Sequence, residues 1–466
     1  MDKLAELFPL PLTPWETYML RASWSGDPMN NDCTWLFRGT LHRESFEQAL
    51  QHAMQVNPLF SCRVDWSVRG RPRWILSHDN VQVHWDETPP AHWYDDFDLT
   101  VEAGIRVWVG PFAQGISRLS IRSHHAISDG MGYGRFYGDL FHRYSVLRSP
   151  PGAAMTAWAD PEPELLKLRD SIAIDRTPLA RLRSGLKMLH MGLAQPPRPL
   201  AVPSSKTEGT WSDVKLAWCN VEGAAFDRLR AFVKARNITL NDYMVASLFR
   251  TLVAWNERHG SSLPNDRLRI MVPTSGRDRR HAAMPAANCV GFSITDRLAG
   301  DCADADSLLS SVARDLRTIR EQHLGASYVD ILSAGDAVAR VRGKLVPRKR
   351  TRRSTRCAAT AVLSYFGDVD RLVPGGGPRD ADSCHVCGDI SLVKPLALVS
   401  RQDQTRVGLT ALYIRKELVI ALNPDHTYFD SAHAQEFLEL YKSQLLADAQ
   451  VDRDRSAEAS APVSAE

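Results

Sequence analysis

The sequence predicts an α/β protein built from two similar halves. Its 466 residues exceed what one hydrophobic core usually organises, which favours two domains of roughly 200 residues each. A strand followed by an amphipathic helix opens both parts of the chain, and aligning the two helices places Phe46 against Phe226. Proline and serine are concentrated between these parts, as expected of a linker that crosses from one half to the other.

The first half begins with a capped helix and continues with a strand, a second helix and a hairpin. In PLTPWETYML, Thr13 and Glu16 form a T-x-x-E capping box, and Pro14 suits the first helical position. The segment TWLFRG, residues 34–39, is typical of a strand. Apolar residues then recur at the spacing of one helical face, and CRVDWSVRGRPRWIL predicts a hairpin that turns near Gly70.

The second half repeats this order. DVKLAWCNV, residues 213–221, predicts a strand, and Phe226 and Leu229 follow it on one helical face. A further helix is predicted to begin at Thr239, with Asp242 three residues on as its capping partner. The apolar stripe of that helix predicts packing rather than chemistry and comprises Val245, Leu248, Leu252 and Trp255.

Composition divides the chain into four parts. We expect an N-terminal half at 1–160, a crossing linker with a helical segment at 161–210, a C-terminal half at 211–448 and a disordered tail at 449–466. The linker contains stretches such as QPPRPLAVPSSKTEGT, which are rich in proline and serine. The tail consists mainly of small and polar residues, which cannot bury enough apolar surface to become ordered.

Charge and hydropathy exclude several functional classes. The chain is 44% hydrophobic and 24% charged, as ordinary folded proteins are, and its net charge of +3 provides no global field for nucleic acid. No segment approaches 18 consecutive apolar residues, and the start lacks the apolar stretch of a secretory signal. We therefore expect a cytoplasmic protein that binds no nucleic acid and has no transmembrane segment.

The eight cysteines do not indicate a metal site. Only Cys384 and Cys387 lie close together, in SCHVCGD, whereas a structural zinc ion needs four ligands. His385 lies between them, but adjacent residues rarely close around one ion. We expect no metal and interpret this pair as reduced thiols in a loop.

The stretch SHHAISDGMGYGRF, residues 123–136, carries the main functional signal. The preceding ISRLSIRS alternates as a strand does, and continuing that alternation places His125 with Leu119 and His124 on the opposite face. Aromatic residues at helical spacing follow Gly130, so His125 ends a strand ahead of a tight turn. Because imidazole titrates near pH 6.5, a neutral His125 can take a proton from a hydroxyl or amine. The alternative is a structural histidine.

Neighbouring residues leave two roles open and exclude other motifs. Asp129 either caps the helix or pairs with a cation and holds the turn. GMGYG follows a strand as a dinucleotide loop does, but the final glycine of G-x-G-x-x-G falls on Arg135. The chain has neither a G-x-S-x-G elbow nor an H-E-x-x-H pattern, which removes the common serine-hydrolase and zinc-protease signatures.

The motif H-H-x-x-x-D-G is matched by His124, His125, Asp129 and Gly130. It resembles the signature of the superfamily of CoA-dependent acyltransferases, which includes nonribosomal-peptide condensation domains, wax ester synthases and plant alcohol acyltransferases. PLTPWETYML resembles the opening helix of that superfamily, and ITLNDYMVASL its T-x-N-D helix. VPTSGRDRRHAAMPAANCVGF resembles its strand that ends in arginine and the following loop with Asn and Gly. The resemblance covers about residues 10–447.

This resemblance implies two chloramphenicol-acetyltransferase-like halves, each a mixed sheet covered by helices, with an active-site tunnel between them. A donor thioester and an acceptor would enter from opposite faces and meet at His125, which would deprotonate the acceptor's hydroxyl or amine. Asp129 would be structural and pair with Arg277 of TSGRD, while His124 and Gly130 would support the turn. No cofactor would be bound permanently, because acyl-CoA or an acyl-carrier thioester is the donor substrate.

The segment LSYFGDV, residues 363–369, lies where relatives carry a short glycine-bearing motif. It departs from the D-F-G-W-G of the plant enzymes, and Tyr365 replaces the asparagine of the Ser-Asn-Leu-Gly form expected of wax ester synthases. Ser364 is a candidate hydrogen-bond donor to the oxyanion of the transition state. Alternatively, it is a strand serine that faces the backbone of a neighbouring strand.

The run RGKLVPRKRTRRSTR, residues 342–356, concentrates positive charge between a helix and the next strand. It is either a solvated loop or a docking site for an anionic group. The anionic group would be the phosphates of CoA, the acidic surface of an acyl carrier protein, or anionic lipid, the last giving peripheral membrane contact. The candidate docking residues are Arg348, Lys349, Arg350, Arg352 and Arg353.

The leading hypothesis is a stand-alone acyltransferase that forms an ester or amide from an acyl thioester. The chain contains nothing that resembles an adenylation domain or a phosphopantetheine site, so we expect no modular synthetase, and we expect a monomer. The alternative is a non-catalytic, condensation-like binding or scaffolding protein, against which the intact His125 and Asp129 argue. The rate is expected to rise with pH through one group at about pH 6–7.

Overall fold

A computed structural model gives the architecture of residues 2–23, 28–67, 72–77, 80–150, 158–170, 179, 185–186, 196–203, 216–341, 357–371, 378–401 and 404–459. Its strands are β1 (Leu10–Pro11), β2 (Asn30–Arg38), β3 (Cys62–Asp65), β4 (Arg73–Leu76), β5 (Val83–Trp85), β6 (Ile105–Ala113), β7 (Ile116–His124), β8 (Ala217–Glu222), β9 (Arg267–Ser275), β10 (Val290–Leu298), β11 (Ala361–Asp368), β12 (His385–Cys387), β13 (Ile390–Leu398), β14 (Val407–Ile414) and β15 (Glu417–Pro424). Its α-helices are α1 (Asp2–Leu7), α2 (Pro14–Ala22), α3 (Arg43–Val56), α4 (Gly130–Arg148), α5 (Gly223–Ala235), α6 (Leu240–His259), α7 (Ala305–Glu321), α8 (Ala326–Val341) and α9 (Ser431–Ala459). Short 3-10 helices lie at Pro58–Ser61, Pro163–Leu168, Arg279–His281, Ala299–Cys302 and Val369–Arg371.

Two six-stranded mixed sheets form the centre of the molecule. The first has the order β12-β13-β2-β7-β6-β5, with β5 parallel to β6. The second has the order β10-β9-β11-β14-β15-β8, with β11 parallel to both β9 and β14. A three-stranded sheet, β1-β4-β3, stands apart from these two. Helices cover both large sheets, so the prediction of an α/β protein with two halves of this kind is confirmed.

Strands from the second half of the chain complete the first sheet. β13 pairs antiparallel with β2, from Ser391 opposite Arg38 to Leu398 opposite Asp32, and β12 follows at the edge. The two halves of the chain are therefore connected by strands β12 and β13, which the second half contributes to the first sheet, and not only by the linker. The predicted halves at 1–160 and 211–448 are therefore segments of the sequence and do not each form a separate sheet, because the second segment contributes strands to both sheets.

Local sequence signals account for how the helices begin. The hydroxyl of Thr13 accepts a hydrogen bond from the Glu16 N–H at 3.1 Å, and the Glu16 carboxylate accepts one from the Thr13 N–H at 2.7 Å. Thr239 and Asp242 form the same reciprocal pair at the start of α6. These caps satisfy backbone donors that the first helical turn leaves unpaired. Both predicted capping pairs are confirmed.

The apolar core continues across the gap between the two large sheets. One core joins the first sheet to α2, α3 and α4, and it also includes Phe292, Val362 and Leu412 from the second sheet. The other core lies between the second sheet and its helices and includes Phe226 and Trp255. Since side chains of the second sheet belong to the first core, the two sheets contact each other directly.

Parts of the predicted linker, hairpin and tail lie outside the described residues. The described part of the linker contains the 3-10 helix at Pro163–Leu168, and the predicted turn at Gly70 falls between the paired strands β3 and β4 but is not among the described residues. The helix α9 continues to Ala459, so the described part of the segment predicted as a tail is helical. Among the helices described, none is both long and apolar enough to cross a membrane.

Candidate active site

The histidine motif joins the end of a strand to the start of a helix. β7 ends at His124, and the backbone N–H of His125 donates to the Met29 carbonyl oxygen at 2.7 Å. The helix α4 begins at Gly130, with Asp129 as its N-cap residue. The Asp129 carboxylate accepts a hydrogen bond at 2.9 Å from a backbone N–H of the first helical turn. His125 is therefore held by regular structure on both sides of the turn.

His124 is buried beside the turn and forms a hydrogen bond with its backbone. It is only 1% exposed, and its Nδ1 accepts a hydrogen bond from the backbone N–H of Ala126 at 3.1 Å. Burial lowers the pKa of His124 to about 3, and the neighbouring His125 contributes to the same shift. A histidine that is neutral and accepts through Nδ1 stabilises the turn without exchanging protons near neutral pH.

The contacts of His125 favour the tautomer that a general base requires. Its Nδ1 lies 3.1 Å from the backbone carbonyl oxygen of Ser128. Nδ2 of Asn288 lies farther from the same Nδ1, at 3.4 Å. Because a carbonyl oxygen only accepts hydrogen bonds, the shorter contact favours the tautomer with the proton on Nδ1 and the lone pair on Nε2. The side chain is partly exposed and lines a cavity between the two sheets. A substrate hydroxyl or amine in that cavity can donate its proton to Nε2.

Burial also keeps His125 neutral. It lowers the pKa of His125 below the ordinary value of histidine, although the hydrogen bond to Ser128 and the negative charge of Asp129 oppose this shift. A base with a lowered pKa is unprotonated at neutral pH. The midpoint of the pH dependence of the rate is therefore expected below the pH of about 6–7 that the sequence alone predicts. The sequence pattern does not show that the imidazole is buried.

Asp129 both caps the helix and pairs with Arg277. Nη1 of Arg277 donates to the two carboxylate oxygens at 2.8 and 2.6 Å, and Nη2 donates to the Ala287 carbonyl oxygen at 2.8 Å. The Cys289 backbone N–H donates to the same carboxylate at 2.7 Å. Asp129 is 3% exposed. The two roles that the sequence left open are thus combined in one carboxylate that is fully hydrogen-bonded.

Asn288 contacts His125 and was not identified from the sequence. Its Nδ2 donates to the His125 carbonyl oxygen at 2.7 Å, and its Oδ1 accepts a hydrogen bond from Nε1 of Trp15 at 3.0 Å. Trp15 belongs to α2, so this helix is connected through Asn288 to the backbone of His125. In the sequence this Asn belongs only to the AANCVGF segment that resembles the superfamily, because no local pattern indicates what an isolated amide contacts.

The segment LSYFGDV forms the cavity wall opposite the histidine motif. Ser364, Tyr365 and Phe366 all line the cavity, and the register of β11 against β14 shifts after Tyr365. The Phe366 ring lies directly against Gly130, where an added Cβ would come within 1.6 Å of the ring atom Cε1. Gly130 is therefore required by this close approach.

The cavity has a volume of about 190 Å³ and lies between the two sheets. The cavity wall on the side of the first sheet is formed by β2, β13 and α4. The wall on the side of the second sheet is formed by β9, β10, β11 and β14. The predicted site residues that line it are His125, Asp129, Gly130, Arg277 and Ser364. Much of the remaining wall is apolar, with Tyr137, Met271, Val290, Phe292, Val362 and Leu412 among its residues. An apolar cavity with a few polar groups is typical of a small-molecule site.

The other predicted features lie elsewhere. The candidate docking residues Arg348, Lys349, Arg350, Arg352 and Arg353 lie outside the described residues. The part of the chain that the structure describes has no group of three or more His, Cys, Asp or Glu residues that could hold a metal ion. Cys384 and Cys387 are buried free thiols, but the prediction that they lie in a loop is wrong for Cys387, which ends β12 and pairs with β13. His385 contacts Asp370 at 2.9 Å.

Solved structures with the same architecture cover almost the whole chain. The trichothecene 15-O-acetyltransferase TRI3 from Fusarium sporotrichioides matches with a TM-score of 0.66 and 13% identity over 94% of both chains. The starter condensation domain of rhizomide synthetase RzmA, determined in complex with C8-CoA, matches with a TM-score of 0.65 and 14% identity over 97% of both chains. The chain has the condensation-domain fold.

The condensation-domain fold supports more than one activity among these neighbours. The epimerization domain from the third module of tyrocidine synthetase B also matches, with a TM-score of 0.62 and 13% identity over 94% of this chain and 95% of that chain. No family model matches the sequence, and no curated protein sequence matches it either. The fold alone therefore does not define the activity.

Proposed function

We propose that this chain is a stand-alone acyltransferase that moves an acyl group from a thioester to a hydroxyl or amine. The observation that carries the proposal is the state of His125. Its Nδ1 lies 3.1 Å from a backbone carbonyl oxygen, no described residue forms a hydrogen bond with its Nε2, and its side chain lines an apolar cavity between the two sheets. A neutral imidazole in a shielded cavity is suited to activating a weak nucleophile.

In the proposed reaction, Nε2 of His125 takes the acceptor's proton while the acceptor oxygen or nitrogen attacks the thioester carbonyl carbon. The bond between carbon and sulfur then breaks, and the imidazolium returns the proton to the leaving thiolate. The products are an ester or amide and a free thiol, and the histidine ends neutral. We assign Ser364, which lines the same cavity, as a donor to the oxyanion of the intermediate.

Acyl transfer is proposed to be direct, without an acyl-enzyme intermediate. Cys33 also lines the cavity, but burial raises the pKa of its thiol to about 12. The thiolate is the nucleophilic form of cysteine, so this thiol is unreactive at neutral pH. The acceptor itself therefore attacks the donor, which requires both substrates to be bound together.

Acyl-CoA or a carrier-bound thioester is the proposed donor. The RzmA starter condensation domain, which has the same fold, was determined in complex with C8-CoA. The apolar wall contributed by Met271, Phe292 and Val362 suits an acyl chain. A monomeric, cytoplasmic enzyme, with an acyl carrier protein or CoA docking on the basic run at 342–356, remains our prediction from the sequence.

A transfer assay tests the proposal. The purified protein is incubated with acetyl-CoA or octanoyl-CoA and a panel of alcohols and amines, and thiol release is followed together with product formation by mass spectrometry. We expect thiol release that depends on the acceptor and yields an ester or amide. Binding of the thioester without acceptor-dependent thiol release would contradict the proposal and favour the non-catalytic, condensation-like binding protein.

A further inference from the structure

Asp32 places a carboxylate that receives no hydrogen bond from the described residues on the wall of the active-site cavity. It lies on β2 and lines the same cavity as His125. Its Oδ1 is buried, and its carboxylate accepts no hydrogen bond from any residue that the structure describes. Its ion-pair partner is Arg122, whose Nε lies 3.6 Å from Oδ1. This distance gives an electrostatic contact but exceeds that of a hydrogen bond.

The contrast with Asp129 shows that this arrangement is unusual within the same cavity. Asp129 accepts hydrogen bonds from Arg277 and from two backbone N–H groups. Asp32 accepts none among the described residues, although an ionised carboxylate loses its hydration on burial and normally regains donors from the protein. Burial raises the pKa of Asp32, and the charge of Arg122 opposes that rise only in part. Folding alone therefore leaves this carboxylate incompletely stabilised.

The carboxylate remains within reach of a molecule that also contacts His125. The side chain of Asp32 is 24% exposed, whereas that of Arg122 is 2% exposed. Asn30 lies opposite His124 in the sheet, and Asp32 is two residues further along the same strand. At about 3.3 Å per residue, and with about 5 Å between paired strands, Asp32 and His125 are separated by roughly 10 Å. One small acceptor can span this distance.

We propose that Asp32 recognises a second, cationic group of the acceptor, so that the enzyme prefers acceptors with an ammonium group remote from the nucleophile. An ammonium group brings three N–H donors and a positive charge. It would supply the hydrogen bonds that the Asp32 carboxylate does not receive from the described residues, and a second positive charge beside that of Arg122. The inference rests on the proposed acyl transfer and specifies its acceptor class as diamines and amino alcohols.

The test compares two amines of equal length, hexamethylenediamine and hexylamine, with acetyl-CoA as donor. Both have the same nucleophile, but only the diamine has a remote ammonium group. A diamine has two equivalent amines, which alone would raise its kcat/KM about twofold over that of the monoamine. In the wild type we expect a much larger ratio of the two kcat/KM values. Asp32→Asn should lower this ratio at least about tenfold, through the KM of the diamine, because it removes a hydrogen bond between charged groups.

Two further variants control for the change of charge and for folding. Asp227→Asn makes the same charge change on the exposed face of α5 and should leave the ratio unaltered. Because Asp32→Asn leaves buried Arg122 without its partner, the double variant Asp32→Asn/Arg122→Met keeps the test valid if the single variant does not fold.

Calorimetry with hexamethylenediamine in the absence of donor separates the inference from the proposed reaction. We expect the wild type to bind the diamine at least about tenfold more tightly than the Asp32 variants do. Equal affinities, or equal diamine-to-monoamine ratios in the transfer assay, would overturn the role of Asp32 while leaving acyl transfer standing. Tighter binding by the wild type without any turnover would support Asp32 recognition and contradict the proposed reaction.

Discussion

The pair formed by Asp129 and Arg277 can be tested through its energy. Asp129→Asn retains an oxygen that can cap α4, but it removes the charge that faces Arg277. Asp129 is 3% exposed and the Arg277 side chain is 16% exposed, so solvent cannot replace the lost partner. Breaking a buried pair from one side costs about 3–5 kcal/mol. Asp129→Ala should cost about 1 kcal/mol more, because it also removes the cap.

A double-mutant cycle isolates the pairing from other effects of these substitutions. We expect Asp129→Asn/Arg277→Met to lose less stability than the sum of the two single variants, by at least about 2 kcal/mol, because neither partner is then left charged and buried. Urea unfolding followed by circular dichroism and tryptophan fluorescence gives the free energies of unfolding. Additive losses within error would refute the coupling and the idea that this pair holds the turn behind His125.

Two other predictions follow from the same region. Gly130→Ala should reduce activity at least about tenfold, because its Cβ would lie 1.6 Å from Phe366 and must displace that ring or the turn. The double variant Gly130→Ala/Phe366→Ala should recover most of the lost activity. No recovery would contradict the close packing of Phe366 against Gly130. The kcat/KM of the wild type should rise with pH through a group below 6.5, since burial lowers the pKa of His125 and only its neutral form is a base. A midpoint above 6.5 would show that burial does not control this histidine.

The sequence predicts features of the site that depend on local order. The motif from His124 to Gly130 combines strand alternation, a capping aspartate and a helix within a few residues, so its strand, turn and helix can be predicted from neighbours alone. The candidate Arg277 came from a resemblance, and the structure places it against Asp129. Such agreement is expected where the functional geometry is built from elements that each have a sequence signature.

The remaining features depend on contacts between distant parts of the chain. Asn288 and Trp15 are 273 positions apart, and neither is distinguished from other polar or aromatic residues by its neighbours. The pairing of β13 with β2 likewise has no local signal, since any exposed strand edge could accept it. Asp32 is one polar residue in an ordinary strand pattern, and its lack of hydrogen bonds appears only when the packed surroundings are known.

The most direct test of the account is the activity of a folded protein without the His125 imidazole. His125→Ala is compared with His92→Ala, which removes an exposed histidine away from the cavity. With acetyl-CoA and the best acceptor, we predict that His125→Ala lowers kcat by roughly 10²–10⁴-fold with unchanged circular dichroism, while His92→Ala stays near the wild type. Wild-type kcat in a folded His125→Ala protein would contradict general-base catalysis by this residue.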